Sequence, residues 1–451
     1  MKFLSFLCGF VISLAVAQGA ESGWQAGFAK APITPSQPMW MSGYAGRTAP
    51  ADGTETDLWA KAAVFQDAQG QRAVLVTLDL VGIDRELSQE ICRQIMAKHR
   101  LPRQALVLAN SHTHCGPVVG KTLRSMYFLD DEHSRRVDQY TQELPGKILK
   151  VVDQAINRLE PVRLYAATGR ASFAVNRRNN KEAEIPALRA AGVPLKGPID
   201  HDVPVLAARN SAGTWTGIVF GYACHATTLA FQKWCGDYPG YAMLDLEAAN
   251  PDAVALFFAG CGADQNPLPR RTVELAKNYG RQLADAVNAV LAKPMTELSP
   301  QFIAAYQEIP LPLSHIPNRE ELLKQTESKN KYEVARAKLL LKKLETASDL
   351  PTNYPYPVQT WRFVGQTLVI LGGEVVVDYS LRLKNELGPQ TWVMAYANDV
   401  MAYIPSLRVL NEGGYEGATS MLYYGLPSPW GPKVEDLIIA EARRQFKHTQ
   451  R

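Results

Sequence analysis

A mixed α/β fold, with a sheet core and flanking helices, is what the sequence predicts, and two patterns carry the prediction. Along most of the 451 residues, short apolar runs of strand length alternate with stretches whose apolar residues recur at helical spacing. Several of the apolar runs end in histidine, glycine or carboxylate clusters, which is where open α/β sheets build their sites.

Taken in order, Lys2 and the apolar stretch from Phe3 to Ala17, broken by Ser5, Gly9 and Ser13, read as a secretory signal peptide cleaved after Ala17 or Ala20. Its apolar core is shorter than the roughly 20 residues a membrane-spanning helix needs. Cys8 sits in the middle of that core, which argues against a lipoprotein anchor. No later stretch could cross a bilayer, so a periplasmic or secreted protein without a transmembrane segment is expected. Residues 21–451 show no internal repeat and no low-complexity linker, and read as a single domain.

Ala73 to Val81 predicts a strand. Arg85 to Arg100, with Leu87, Ile91, Ile95 and Met96 at helical spacing, predicts a helix, and Ala105 to Ala109 a second strand, together a βαβ unit. A helix from about Val137 to Arg158 follows. Strands are then expected near Val162 to Ala167, Val203 to Ala208, Trp215 to Ala223 and Ala253 to Ala259, with a helix over Val273 to Leu291. Composition shifts once, over 318–346, where Lys, Arg and Glu crowd around Leu322, Leu323, Val334, Leu339, Leu340 and Leu344. This predicts an inserted surface helix or helical hairpin.

Charge and cysteine usage exclude two classes. A formal charge of +4 is too small to point to a nucleic-acid partner. Beyond Cys8 there remain Cys92, Cys115, Cys224, Cys235 and Cys261, an odd and sparse set that cannot form a disulfide framework.

The chemistry concentrates at predicted strand ends. Asn110-Ser111-His112-Thr113-His114 follows Ala105 to Ala109, and in an extended segment positions i and i+2 share a face, so His112 and His114 are expected side by side. His225 ends the run from Trp215. Glu374 follows Thr367 to Leu371 and Gly372-Gly373, where burial would be costly without a pairing charge or a metal. Two or three imidazoles with a carboxylate describe a catalytic zinc site. The turn Gly260 to Pro267 puts backbone amides and short polar side chains, among them Asp264 and Gln265, at another strand end. It lacks the spacing of a phosphate-cradling loop. Asp264 and Gln265 are expected on a pocket wall, against a substrate that could be carbohydrate-like.

With these landmarks in place, the chain resembles the catalytic domain of the neutral, non-lysosomal ceramidases. The resemblance rests on Thr34-Pro35, Gly43-Tyr44, Ser111-His112-Thr113-His114 with Gly116-Pro117, an arginine after Asn176, and His225. It continues through Asp237 with Gly240-Tyr241, the Gly262 turn, Gly373-Glu374, Tyr403 and Tyr415-Glu416-Gly417-Ala418, all in family order. It implies a neutral-ceramidase-like fold and one zinc ion per chain held by His112, His225, Glu374 and Tyr403. It also implies that His114, Arg177 and Tyr415 stand close to the reacting carbonyl of a small-molecule or lipid substrate. The family's Gly-Asp-x-Ser-Pro-Asn turn is replaced here by Gly262-Ala263-Asp264-Gln265-Asn266-Pro267, so the headgroup contact is changed. Since the sequence stops at Arg451, a catalytic domain without the family's immunoglobulin-like C-terminal domain is expected.

The implied reaction is hydrolysis of an amide by metal-activated water, with His114 passing a proton to the leaving amine. Three alternatives stay open: a zinc hydrolase of ester or carbohydrate-like substrates, a cysteine hydrolase using Cys261 with a histidine such as His225, and a non-catalytic protein that keeps the metal for stability.

Overall fold

The computed structural model describes residues 23–450, so the leader reading of 1–20 lies outside the described residues. Eight strands build a large mixed sheet: β1 (Trp24–Pro32), β2 (Trp59–Gln66), β3 (Arg72–Leu78), β4 (Leu106–Asn110), β5 (Glu160–Arg170), β6 (Asp202–Asn210), β7 (Trp215–Tyr222) and β8 (Val254–Ala259). They lie in the order β8-β7-β6-β5-β1-β2-β3-β4, with a short ninth strand, Thr296–Glu297, beside β5. The β3–β4 and β7–β8 pairs are parallel. The others are antiparallel.

One face of this sheet carries the helices α1 (Arg85–His99), α2 (Asp131–Ile156), α3 (Asp237–Ala249) and α4 (Val273–Leu291). Ile91, Leu144, Ile148 and Val151 pack there on Val64, Val74 and Val76, and Leu246, Leu283 and Val287 join the cluster of Ile218, Phe220 and Phe257. The strand, helix, strand reading of 73–109 is met by β3, α1 and β4. Asp84 caps α1 by accepting from the amides of Glu86 and Leu87, and Arg100 closes it in a left-handed conformation.

The other face meets a second sheet that the alternation of the sequence did not disclose. It comprises β9 (Phe302–Pro312), β10 (Asn353–Phe363), β11 (Gln366–Leu371) and β12 (Trp392–Met394). Phe302, Trp361, Phe363, Leu368, Ile370 and Met394 pack face to face on Phe28, Phe65, Leu75, Val107, Val219 and Phe258. Behind the second sheet lie two helices, Val377–Leu387 and Val434–Thr449, whose Leu383, Ile438 and Ala442 join the cluster of Val358 and Val369. Four layers result: helix, sheet, sheet, helix.

The charged segment 318–346 forms two helices, Arg319–Gln325 and Lys331–Lys343, the first opened by a capping box between Asn318 and Glu321. They bury Leu322, Ala337 and Leu340 in a small cluster of their own. The Tyr332 hydroxyl donates to the Ala45 carbonyl at 2.9 Å, which fastens the pair beside the Gly43 loop.

The stretch after β12 joins the edges of the large sheet. The Ala395 amide donates to the Ala259 carbonyl at the end of β8, while the Asn110 amide at the end of β4 donates to the Tyr396 carbonyl, and Asn398 bonds Leu108. The ends of β4, β7, β8 and β11 are thereby gathered around one point.

Candidate metal centre

His112 stands two residues past β4, but not in extended backbone: its φ is 61°. The expectation that His112 and His114 align as neighbours on a strand is corrected here. The chain turns at Ser111 and His112, whose amides are taken by the carbonyls of Leu78 and Leu80. The two imidazoles still meet, with Nε2 atoms 3.2 Å apart. Glu374 follows Gly373, whose φ of +74° and whose closeness to the Ala402 carbonyl leave no room for a Cβ. The two-residue strands Glu374–Val375 and Tyr403–Ile404 then pair in parallel and set Glu374 opposite Tyr403.

The hydrogen bonds of the two imidazoles fix which nitrogen is free. His112 donates from Nδ1 to the Val81 carbonyl at 2.5 Å, and His225 from Nδ1 to the Gly262 carbonyl at 2.7 Å. A carbonyl can only accept, so each ring carries its proton on Nδ1 and directs Nε2 inward. Burial, and then the Arg177 charge, lower the pKa of His225 to about 4, so the ring is neutral near pH 7.

Both Nε2 atoms lie 3.1 Å from Glu374 Oε2, and the Tyr403 hydroxyl lies 3.3 Å from His225 Nε2. Burial pushes the Glu374 carboxyl up, and only positive charge at the facing ring nitrogens pulls it well below the usual carboxylate range; with both rings neutral, that charge would have to come from a cation. Its Oε1 accepts from the Tyr424 hydroxyl, whereas Oε2 is buried without any hydrogen-bond donor. A buried anionic oxygen facing two ring nitrogens is unfavourable unless a cation sits among them. Donors about 2.0–2.1 Å from a tetrahedral zinc stand roughly 3.3 Å from each other, close to the spacing found here. The residues therefore fit a metal ion. His112, His114 and His225 also form a buried group able to hold one.

Around this point the Tyr396 ring packs at a tilt against His112 with ring centroids 4.4 Å apart, and its hydroxyl lies 3.4 Å from His225 Nδ1. Arg177 donates to the Tyr403 hydroxyl at 3.1 Å, to Glu416 at 2.8 Å and to Asn266 at 3.2 Å. Its neighbour Arg178 turns instead to Glu412 and Glu416. Tyr415, partly exposed, meets Tyr403 edge on at 5.2 Å. Gly43 lies so close to the His114 ring that a Cβ there would stand 2.4 Å from it, and Tyr44 covers the ring at 4.6 Å. Burial lowers the His114 pKa well below its ordinary value.

These side chains open into a cleft of about 760 Å³ lined by His114, Arg177, His225, Tyr403 and Tyr415. Asp264 and Gln265 do not face it. Asp264 is fully buried and accepts from Asn176 and from the Val377 amide, while Gln265 bonds the Pro198 carbonyl. Asn266, one position on, faces the cleft instead. Cys261 is fully buried away from the cleft, and burial holds its thiol pKa well above the ordinary value, which removes the thiolate a cysteine hydrolase needs.

Sequence reasoning passed over three contributors: Tyr396, Tyr424 and Asn266. Tyr396 follows a strand too short to stand out, and nothing in Tyr424 distinguishes it from core tyrosines. Period 2 does not find Asn266 either, because its partner at that spacing, Asp264, is buried away from the cleft.

Fold and centre together define an α/β protein with a buried, metal-ready group of His, Glu and Tyr at the joined strand ends. Residues 24–308 match the family described as neutral/alkaline non-lysosomal ceramidase, N-terminal, and the chain belongs to that family. Among solved structures it is similar to the neutral ceramidase of Pseudomonas aeruginosa. That likeness has a TM-score of 0.73 at 19% identity and covers 95% of this chain and 74% of the other. A structure described as ceramidase complexed with C2 is similar at a TM-score of 0.73 and 17% identity, over 94% and 75% of the two chains. At these identities the likeness establishes the fold. Comparison with curated protein sequences gave no match.

Proposed function

We propose that the protein is a zinc-dependent amidase that hydrolyses the N-acyl bond of a ceramide-like compound, with His112, His225, Glu374 and Tyr403 holding the ion. The observation that carries this reading is the orphaned Glu374 Oε2, 3.1 Å from both imidazole nitrogens. Nitrogen and oxygen donors without a thiolate suit zinc, and a Glu with a Tyr among the ligands differs from the all-Cys/His sets of structural zinc.

When bound, zinc lowers the pKa of its water toward about 7 and draws charge from the acyl oxygen. The residues do the rest. His112 and His225 are locked by their Nδ1 hydrogen bonds and cannot rotate out of register. Arg177, held by Glu416 and Asn266, presents a fixed positive charge beside Tyr403 where negative charge develops on the acyl oxygen, and Tyr415 flanks the same place. His114, neutral and facing the cleft, takes a proton and returns it to the departing nitrogen. Water's oxygen ends on the acyl carbon, the C–N bond breaks, and the amine leaves with the proton.

Family membership and the cleft support the amide as target. The leader-like residues 1–20 support export, tested by the mature N-terminus in a periplasmic fraction. The test of function is zinc content by elemental mass spectrometry together with hydrolysis of N-acyl amines. About one zinc per chain with turnover, both lost in His225→Ala, is expected. Metal-free protein that still hydrolyses the substrate refutes the proposal.

A further inference from the structure

We propose that the amine-side part of the substrate is anionic, an N-acyl compound carrying a carboxylate near the amide nitrogen, and that Arg271 recognises that charge. The inference rests on the amidase reading above and specifies its substrate.

The cleft is rich in guanidinium groups, and most of them are spoken for. Arg177 and Arg178 share Glu416, Arg178 also takes Glu412, and Arg270 pairs with Glu182. Arg271 differs: among the described residues no carboxylate lies within ion-pair distance of it, and it lines the cleft from an exposed position.

Its placement is enforced. The backbone of Arg271 adopts a φ of +95°, strained for a residue with a side chain, and its amide is held by the Thr228 carbonyl at 2.6 Å. From there the guanidinium lies over the Tyr44 ring at 5.4 Å and donates to the Tyr44 hydroxyl at 3.3 Å. The opposite commitment of Tyr44 is to His114, whose ring centroid is 4.6 Å from its own. The Arg271 charge is thus within 10.0 Å of the His114 ring, the sum of those two separations. This is the side from which the leaving amine departs if His114 protonates it.

A guanidinium with free donors binds a carboxylate bidentately, which a neutral headgroup cannot reproduce. The two carboxylates that line the cleft, Glu182 and Glu416, are already paired with Arg270 and with Arg177 and Arg178, and Asp264 is buried away from it.

The test compares N-dodecanoylglycine with N-dodecanoylglycinamide, identical apart from the charge, using the zinc-loaded full chain. The expected kcat/KM ratio favours the carboxylate by about 10- to 100-fold, the worth of a charged hydrogen bond. Arg271→Gln brings the ratio near one, and Arg271→Lys restores part of it. Hydrolysis of both compounds at equal rates, or a preference unchanged in Arg271→Gln, overturns the proposal while leaving the amidase reading intact. Hydrolysis of neither, and of no ceramide, refutes the amidase reading. Titration calorimetry then decides the anion site alone: binding of N-dodecanoylglycine that Arg271→Gln weakens sustains it, and no binding overturns it.

Discussion

Glu374→Gln separates a metal centre from an ordinary buried ion pair, because the two predict opposite signs in metal-free protein. In the ion-pair view His112 or His225 carries a second proton toward Glu374, and removing one partner of a buried pair costs about 3–5 kcal/mol. The hydrogen bonds say otherwise: both Nδ1 protons are given to carbonyls, and Oε2 has no donor. A Gln amide would supply protons to the ring nitrogens 3.1 Å away and relieve an orphaned buried acceptor, worth about 1–3 kcal/mol. Unfolding entropy of about 2.1 cal/mol/K per residue makes 1 kcal/mol roughly 1 °C for a chain of this length. In a chelator, Glu374→Gln should therefore melt about 1–3 °C above wild type. With zinc at about 1,000 times its Kd, wild type gains about 4 kcal/mol that the variant, short of an anionic ligand, largely forgoes, and the order reverses. Calorimetric melts of both proteins with chelator and with zinc make the comparison. A variant that melts several degrees below wild type in chelator would refute the reasoning and restore the ion pair.

The remaining predictions concern neighbouring groups. His114→Ala should keep its zinc, measured by elemental analysis, while kcat falls about 10²- to 10⁴-fold, the usual contribution of a proton-transfer group; loss of the metal instead would make His114 a ligand. Tyr424→Phe removes the hydroxyl bonded to Glu374 Oε1 and should weaken zinc binding about 10- to 100-fold in competition with a chromophoric chelator. Burial raises the Asp399 pKa to about 7, with Tyr354 bonded to it at 2.5 Å. The folded state therefore keeps a proton that the unfolded chain releases above about pH 4. That contribution is fully present below pH 4 and is lost as pH rises through 7, up to about 4 kcal/mol in all. Asp399→Asn should flatten melting temperature between pH 5 and 8, and an unchanged slope would show that Asp399 does not hold the proton.

Much of the large sheet was legible because its strands are bounded by turns and followed by amphipathic helices, as in the run from Ala73 to Asn110. The second sheet was hidden for a physical reason. Pro310, Pro312, Pro355 and Pro357 interrupt the paired strands Phe302–Pro312 and Asn353–Phe363, and polar residues cut their apolar stretches short, which leaves Phe302 to Tyr306 and the run Thr367 to Leu371 as isolated signals that do not read as one sheet. The candidate ligands were legible as strand-end residues, one at a time. Their convergence was not, because it depends on contacts such as Ala395 to Ala259 and Asn110 to Tyr396, which no local pattern encodes. Asp264 and Gln265 mislead because both are drawn into the interior, Asp264 by Asn176 and the Val377 amide and Gln265 by the Pro198 carbonyl, which leaves Asn266 to face the cleft.

The centre also explains why the two sheets meet as they do. His112 and His225 come from the large sheet, whereas Glu374, Tyr396 and Tyr403 follow strands of the second, so the site lies on the seam between layers. Apolar packing of Phe258, Phe363 and Ile370 across that seam fixes the layers independently of any ion. It holds acceptors together that would otherwise separate: Glu374 Oε2 and two ring nitrogens at 3.1 Å repel one another without a cation. The scaffold thus stores an electrostatic conflict that metal binding relieves, and a preorganised group of this kind gains affinity because few of its ligands need to move. By the same logic, a small cavity in the seam is predicted to loosen the ligand spacing and reduce metal affinity even though no ligand is altered.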